Sequence, residues 1–287
     1  MEAGFNGHAL AVFTACVPCG AICWLLLALF LCAHCDMGCE ARDRFNRFMF
    51  LPVAVVWAGF IASATHLGTP ANALYVALGV GRSPLSNEVV ATVAFLFFAG
   101  MYWLYTFRIG YSRGLAGVLL ACSCVSALAS VGFMSVAYDV STVPSWDCVY
   151  SPANLVLTGL FSGASMATAT LRLSAPDQPG WAWLLVALAA AALAAGTGVM
   201  MMQADWLAGV SNNVASALDG APGYRGAIYV HAAVGTMGLL MQMFSLRQRF
   251  ASLFRSGFFC WVGFAMVLAA ALLVRFPFYD FYLPLGF

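Results

Sequence analysis

Lysine is absent from this 287-residue sequence, and all 12 basic side chains are arginines. Charged residues make up 8 % of the chain, whereas apolar residues make up 63 %. Soluble globular domains carry about 25 % charged residues, so this scarcity of charge excludes a soluble protein. The net charge of +1 and the lack of any large basic cluster also argue against a nucleic-acid partner.

Long runs without a charged residue fill most of the chain. A helix needs about 20 apolar residues to cross the roughly 30 Å hydrocarbon core of a bilayer. Eight runs meet this requirement, at residues 9–32, 48–65, 89–107, 115–138, 153–171, 181–204, 226–246 and 256–274. Since backbone polar groups in lipid must be paired within the segment, these runs are predicted to be helices. The sequence therefore predicts an all-α integral membrane protein, with one transmembrane domain over residues 1–287 and eight helices in two sets of four.

The arginines are distributed unevenly between the two ends of these predicted helices. Nine lie in the connections after the first, third, fifth and seventh runs, and three lie on the opposite side. Cytoplasmic connections carry the excess of positive charge, so both termini are predicted to lie outside. No basic residue precedes the first run, which we interpret as a retained anchor and not as a cleaved signal peptide.

Ten cysteines and four histidines raise the question of a metal or haem site. Cys16, Cys19 and Cys23 have a spacing that occurs in metal sites, but no second cysteine pair follows at a suitable distance. We therefore predict packing roles for these thiols and no bound metal. His66 and His231 are placed on the same side, so a haem b bound by both remains an alternative hypothesis.

The stretch ATHLGTPANA, residues 64–73, places a histidine at the end of the second predicted helix. Pro70 stops that helix, and residues 71–78 are apolar enough to form a short helix along the membrane interface. In the following SPLSNE segment, Ser86 is expected to cap the third helix. Glu88 would then lie in its first turn, where the helix dipole alone could explain an acidic residue.

A functional interpretation makes His66 and Glu88 the two ends of one pocket, because the connection between them returns beside its start. A neutral imidazole can accept a proton from a quinol hydroxyl, and a nearby carboxylate can pass it to water. Together with an apolar slot, these groups suit the oxidation of a hydroquinone. A secondary transporter is a weaker hypothesis, because the eight runs contain no Asp, Glu or Arg.

Three motifs resemble those of a known family: GFIASATHLGTP at 59–70, SPLSNEV at 83–89 and STVPSW at 141–146. In sequence, length and order of motifs, the protein resembles the membrane anchor subunits of bacterial dimethyl sulfoxide reductases, the DmsC family. The resemblance extends over nearly the whole sequence, and the first two motifs together are fairly specific. It implies a multi-pass protein of the bacterial inner membrane that functions in anaerobic respiration.

The resemblance also implies the chemistry and the partners. Such an anchor carries no haem or iron–sulfur cluster, and it oxidises menaquinol near the outer face. It passes electrons to an iron–sulfur subunit, which feeds a catalytic subunit with a molybdopterin guanine dinucleotide cofactor. The family's catalytic histidine and glutamate fall on His66 and Glu88, and Gly68, Thr69 and Ser86 in the same motifs are expected quinol contacts. An anchor for a polysulfide, nitrite or other N- or S-oxide reductase remains the alternative within the same superfamily.

The expected docking surface for the iron–sulfur subunit lies on the side of His66, because electrons leaving the quinol need a short path. Residues 67–87 and 140–152 form the candidate loops, with Arg82, Trp146 and Tyr150 as expected contacts. One position departs from the family pattern. Asn72 stands where relatives often have an arginine, and Arg82 is the candidate to supply that charge.

Overall fold

The computed structural model describes residues 7–65, 70–211, 216–247 and 253–282. This part of the protein is helical and contains no β-strand, which confirms the predicted all-α class. The α-helices are α1 (His8–Ala33), α2 (Cys39–Phe48), α3 (Phe50–Ala64), α4 (Pro84–Tyr105), α5 (Arg113–Ala137), α6 (Tyr150–Ser174), α7 (Pro179–Leu207), α8 (Tyr224–Arg247) and α9 (Leu253–Asp280). Two 3₁₀ helices, Pro70–Gly79 and Ala217–Asp219, precede α4 and α8.

Seven segments of the described residues are long and apolar enough to cross a membrane. They are α1, the α2–α3 segment Cys39–Ala64, α4, α5, α7, α8 and the Gly257–Asp280 part of α9. The fifth predicted run lies within α6, which has 25 residues but is too polar to be counted with the other seven. An eighth crossing therefore stays a prediction.

The polar residues of α6 are mostly serine and threonine, and most of their hydroxyl groups bond to the backbone of the same helix. Ser162 Oγ donates to the Thr158 carbonyl at 2.8 Å, and Thr168 Oγ1 donates to the Ala164 carbonyl at 2.9 Å. Most of the α6 side chains are buried within the bundle. The helix thus has a low hydropathy but presents few polar groups to its surroundings.

Helix α6 packs directly against α1, and two glycines set how closely they approach. A Cβ atom added to Gly159 would lie 2.6 Å from Pro18 Cβ, and one added to Gly163 would lie 2.9 Å from the Cys19 carbonyl oxygen. Helix α1 also packs against α3, α5 and α9. It is therefore a central helix of the fold, and the division into two sets of four helices stays a prediction.

Contacts between helix termini define the two ends of the bundle. The start of α1 meets the last turns of α9, where the Thr14 and Tyr279 hydroxyl groups are 3.2 Å apart. At the opposite end, Arg44 Nε of α2 donates to the Ser174 carbonyl of α6 at 2.9 Å. We call the first the Glu88 end, since α4 begins there, and the second the Arg108 end, since α4 finishes there.

Candidate functional site

The first turn of α4 begins earlier than the sequence suggested. Ser83 is the N-cap residue, and its side chain accepts a hydrogen bond from the Ser86 N–H at 3.4 Å. Pro84 follows in the first helical position, where its fixed φ suits a helix start. The expectation that Ser86 caps the helix is therefore wrong, and Glu88 belongs to the second turn. The helix dipole acts mainly within the first turn, so it gives a weak explanation for Glu88.

The connection before α4 is held tightly against that helix. Gly81 has a φ of +80°, and its N–H donates to Asn87 Oδ1 at 2.7 Å. A Cβ atom added to Gly79 would clash with Ser86 Oγ, so a larger residue there would require the Ser86 side chain to move. Ser86 is buried by the contact. These interactions fix the segment that leads from the HLG motif to Glu88.

The Glu88 side chain points into the bundle and is 1 % exposed. Its Oε2 atom has no hydrogen-bond partner among the described residues. One turn later, Thr92 Oγ1 donates to the Glu88 carbonyl at 2.7 Å and lies 2.7 Å from Ser130 Oγ of α5. Burying a carboxyl oxygen without a partner is costly, so Glu88 occupies a position that packing alone does not favour.

Residues 66–69 lie outside the described part of the protein, and they include three of the predicted site residues: His66, Gly68 and Thr69. The predicted pairing of His66 with Glu88 is therefore untested. Helix α3 ends at Ala64, and the 3₁₀ helix Pro70–Gly79 packs against α4. Residues 71–78, expected to form a short helix, are helical but of the 3₁₀ type.

An apolar groove of about 500 Å³ lies between α4 and α5 beside this connection. Gly81 and Asn87 form one edge of the groove, and Ala91 and Phe133 line its wall. Ala91 lies one turn after Glu88, so the groove and the buried carboxyl group occupy neighbouring faces of α4. The Glu88 carboxyl group therefore lies beside an apolar surface that can hold an apolar tail.

A second buried charge at the Glu88 end was not identified from the sequence. Arg275 of α9 is 3 % exposed, and its Nε and Nη2 atoms have no hydrogen-bond partner among the described residues. Its guanidinium carbon lies 5.5 Å from the centre of the Phe278 ring. From the sequence alone, Arg275 contributes only to the count of arginines that lie between helices, because it directly follows the last uncharged run.

Tyr138 lies at the end of α5, where both buried charges affect it. Its ring packs edge-on against that of Tyr279, with centroids 5.7 Å apart, and its hydroxyl group is buried. Burial raises the pKa of Tyr138 well above its usual range, Tyr279 and Glu88 raise it further, and Arg275 opposes the shift. Tyr138 therefore stays a neutral phenol that can donate or accept a hydrogen bond.

A small cavity of about 10 Å³ adjoins Arg275 and is lined by polar side chains from α6, α7 and α8. Asn154 Nδ2 donates to Gln203 Oε1, and the Tyr224 hydroxyl group donates to the same oxygen at 2.9 Å. Asn154 Oδ1 has no partner within the described residues. The space suits a bound water that accepts from the guanidinium group and donates to Asn154.

The expected docking residues occupy different environments. Arg82 is exposed in the connection before α4, and Tyr150 is half-buried at the start of α6. Trp146 is only 6 % exposed, its ring stacks on Phe278 at 5.3 Å, and its Nε1–H donates to the Phe278 carbonyl at 3.0 Å. Trp146 therefore packs within the fold and exposes little surface, and its expected contact with another subunit stays a prediction.

The residues considered for metal or haem binding are dispersed. In residues 7–65, 70–211, 216–247 and 253–282, no three His, Cys, Asp or Glu side chains converge as metal ligands. Cys16, Cys19 and Cys23 are buried thiols on α1. His231 is buried in α8, with its Nδ1 atom 2.8 Å from the Ala270 carbonyl. The absence of a metal or haem in this protein stays a prediction.

The helices and the buried charges at one end define a multi-span integral membrane protein. Residues 1–281 match the family described as DMSO reductase anchor subunit (DmsC). The protein belongs to that family, whose members are the membrane anchors of oxidoreductase complexes with separate catalytic and electron-transfer subunits.

Named relatives agree with this assignment. The sequence is 32 % identical over 226 residues to an anaerobic dimethyl sulfoxide reductase subunit of Escherichia coli (strain K12), a match that spans 78 % of each protein. It is 32 % identical over 183 residues to the anaerobic dimethyl sulfoxide reductase subunit YnfH of the same organism, which spans 64 % of each protein. It is 27 % identical over 171 residues to an anaerobic dimethyl sulfoxide reductase subunit of Haemophilus influenzae, which spans 60 % of this sequence and 61 % of the relative.

Proposed function

We propose that this protein oxidises menaquinol at the Glu88 end and passes the electrons to an iron–sulfur subunit of a dimethyl sulfoxide reductase complex. The observation that carries the proposal is the buried Glu88 carboxyl group, whose Oε2 atom has no partner among the described residues. A proton acceptor in a water-poor site is what quinol oxidation requires, because two protons must leave with two electrons. The electrons continue to a partner subunit that contains the molybdopterin cofactor.

In this proposal the headgroup lies between the HLG motif and α4, with His66 as the first proton acceptor. Gly68, Thr69 and Ser86 surround the ring, and Glu88 receives protons from the site. The isoprenoid tail lies in the apolar groove between α4 and α5, which opens toward the lipid. Among the described residues, exposed Tyr75 and Leu78 of the 3₁₀ helix add an apolar surface beside the entrance.

Replacing Glu88 by glutamine tests this assignment. Glutamine keeps the size of the side chain but cannot accept a proton, so we expect quinol oxidation to slow by about tenfold to a hundredfold, at or below the lower end of general acid–base effects. Binding of a quinone analogue, measured by its fluorescence, should change much less. Turnover is measured with a soluble quinol analogue in the purified complex.

The matched control is Asp139→Asn, which removes an exposed carboxylate at the same end of the bundle. Its quinol turnover should equal that of the wild type. If Glu88→Gln also retained full turnover and only unfolded at a different temperature, Glu88 would have a structural role and the proposed proton acceptor would be wrong.

We further propose that the Glu88 end faces the outside of the inner membrane, with both termini on that side. The uneven distribution of arginines supports this orientation. A reporter enzyme that is active only outside the cytoplasm should be active when fused to the C-terminus and inactive when inserted at residues 175–178, between α6 and α7. The opposite pattern would reverse the orientation and place the proposed quinol site on the cytoplasmic side.

The iron–sulfur subunit is proposed to dock at the same end, because electron transfer requires a short distance from the quinol. Arg82 and Tyr150 remain the expected contacts, and the exposed Val149 beside Tyr150 adds apolar surface. Charge is sparse there, which suits a largely apolar contact. We propose that this protein itself binds no haem and no metal, so the clusters and molybdopterin belong to its partners.

A further inference from the structure

A cavity of about 320 Å³ lies at the Arg108 end, far from the proposed quinol site. Helix α2 forms one wall, and the connection from α4 to α5 forms the other. Four of its lining side chains are arginines and one is a carboxylate: Arg42, Arg47, Arg108, Arg113 and Asp43. This concentration of guanidinium groups uses a third of the arginines in the sequence.

The positive charge of this cavity is not balanced by neighbouring carboxylates. In the described part of the protein, the ion pairs within 4.0 Å involve Arg44 and Arg225, and neither lines the cavity. Four cations against Asp43 leave a surplus of three positive charges. Guanidinium groups bind phosphate through paired N–H donors, so the cavity has the chemistry of a phosphate site.

The shape of the cavity is fixed by hydrogen bonds. The Tyr102 hydroxyl group donates to Asn46 Oδ1 at 2.9 Å, and Asn46 Nδ2 donates to the Tyr111 hydroxyl group at 3.2 Å. Gly110, with a φ of +71°, turns the connection between α4 and α5. These contacts join α2, α4 and the connection, so the backbone segments that carry the arginines are held together.

The surroundings of the cavity indicate that its ligand has an apolar part. Ile109, between two residues of the cavity wall, is 99 % exposed, and the side chains of Leu104 and Phe107 are also exposed. A smaller cavity of about 40 Å³ shares Arg42, Tyr111 and Arg113 with the first and adjoins the start of α5. There it is lined by Ala116, Gly117 and Leu120. The basic cavity thus lies beside exposed apolar side chains at the end of the membrane-spanning helices.

We propose that this double cavity binds an anionic phospholipid, with its phosphate among the four arginines and an acyl tail along α5. Basic cavities between membrane helices bind such headgroups, and a free phosphate would leave the exposed apolar side chains beside the cavity without a contact. The bound lipid would join α2 to the α4–α5 pair at the end opposite the proposed quinol site. The proposal does not depend on what occurs at Glu88.

The test uses the purified complex in detergent after removal of endogenous lipid. Thermal unfolding of the complex is followed while phosphatidylglycerol or phosphatidylcholine with identical acyl groups is added. Phosphatidylglycerol should raise the unfolding temperature at lower concentrations than phosphatidylcholine. Each arginine near a membrane surface contributes about fivefold to such binding, so the double variant Arg42→Gln, Arg108→Gln should bind about 25-fold more weakly.

The matched control is Arg44→Gln, which removes the same charge from the same helix but does not line the cavity. It should respond to phosphatidylglycerol as the wild type does, each variant being compared with its own lipid-free unfolding temperature. Native mass spectrometry should show one retained anionic lipid in the wild type and none in the double variant.

Three results would overturn the proposal. The first is an equal response to both lipids in the wild type. The second is an unchanged response to phosphatidylglycerol in the double variant. The third is a response to inorganic phosphate that matches the effect of phosphatidylglycerol, which would make the cavity a site for a soluble anion.

Discussion

Replacing His66 by alanine or by arginine is expected to stop menaquinol oxidation, while the complex still assembles and still accepts electrons from a soluble artificial donor. Alanine removes both the hydrogen bond and the proton acceptor. Arginine keeps a hydrogen-bond donor but cannot accept a proton near neutral pH, because its pKa exceeds about 12. Each general acid–base role contributes roughly 10²–10⁴ to the rate, so both variants should lose at least about a hundredfold.

The two variants together separate proton transfer from binding. If arginine retained the activity that alanine lost, hydrogen bonding and not proton acceptance would be the role of His66. His34→Ala provides the control, since this histidine lies at the Arg108 end and packs on the Phe30 ring at 4.3 Å. Its quinol turnover should be normal. Wild-type turnover in both His66 variants would show that His66 is not part of the quinol site. His231 would then be the next candidate.

The all-α class of the fold could be predicted because it depends on the length of the uncharged runs. Uncharged runs of sufficient length leave the backbone no alternative to helices in lipid, and the described residues of these runs are helical almost throughout. Helix α6 shows the limit of the argument. A search for uncharged runs identifies α6 as a spanning helix, whereas mean hydropathy does not. Its serine and threonine hydroxyl groups lower the mean hydropathy, although they bond to carbonyls of the same helix. The predicted number of membrane crossings therefore depends on whether charge or hydropathy is used to identify them.

The start of α4 shows how a local signal was misjudged. Ser83 and Ser86 are both reasonable caps by residue type, and the difference lies in Pro84, which favours the first helical position after the cap. Placing the cap at Ser83 moves Glu88 out of the first turn. The sequence thus contained the information needed to weaken the explanation by the helix dipole, although the burial of Glu88 depends on tertiary packing.

Arg275 and Trp146 could not be placed from the sequence, because their environments are formed by distant segments. A charge directly after an uncharged run is typical of a helix end in water, but α9 continues to Asp280 and carries Arg275 into the bundle. Trp146 is in a connection, where aromatic residues often face the membrane surface, yet α9 supplies the Phe278 ring and carbonyl that bury it. The burial of both residues depends on how far α9 extends.

Replacing Gly163 by valine is expected to produce the largest effect on folding, because this residue lies where α6 meets α1. The Cβ atom alone would lie 2.9 Å from the Cys19 carbonyl oxygen and Ile22 Cβ, and 3.0 Å from the Cys23 nitrogen. Two of these three atoms belong to the backbone of α1, so no side-chain rotation can relieve the contact. Membrane helices associate through such small residues because lipid supplies no hydrophobic force between them.

The expected cost is at or above the roughly 1–3 kcal/mol that overpacking a core typically causes, because α1 must move as a unit. Gly132→Val is the matched control, since Gly132 lies within the spanning helix α5 and no atom would lie within 4 Å of its added Cβ. Thermal unfolding in detergent and the yield of folded protein in the membrane are compared for the two variants.

Gly132→Val should behave much like the wild type, whereas Gly163→Val should accumulate little folded protein and should unfold at a clearly lower temperature. Gly159→Ala supplies an intermediate step, because its Cβ would lie 2.6 Å from Pro18 Cβ and 3.1 Å from the flexible end of Ile22. Equal stability of the Gly163 and Gly132 variants would mean that α1 and α6 do not approach as closely as described. The close packing of α6 on α1 at Gly163 would then be wrong.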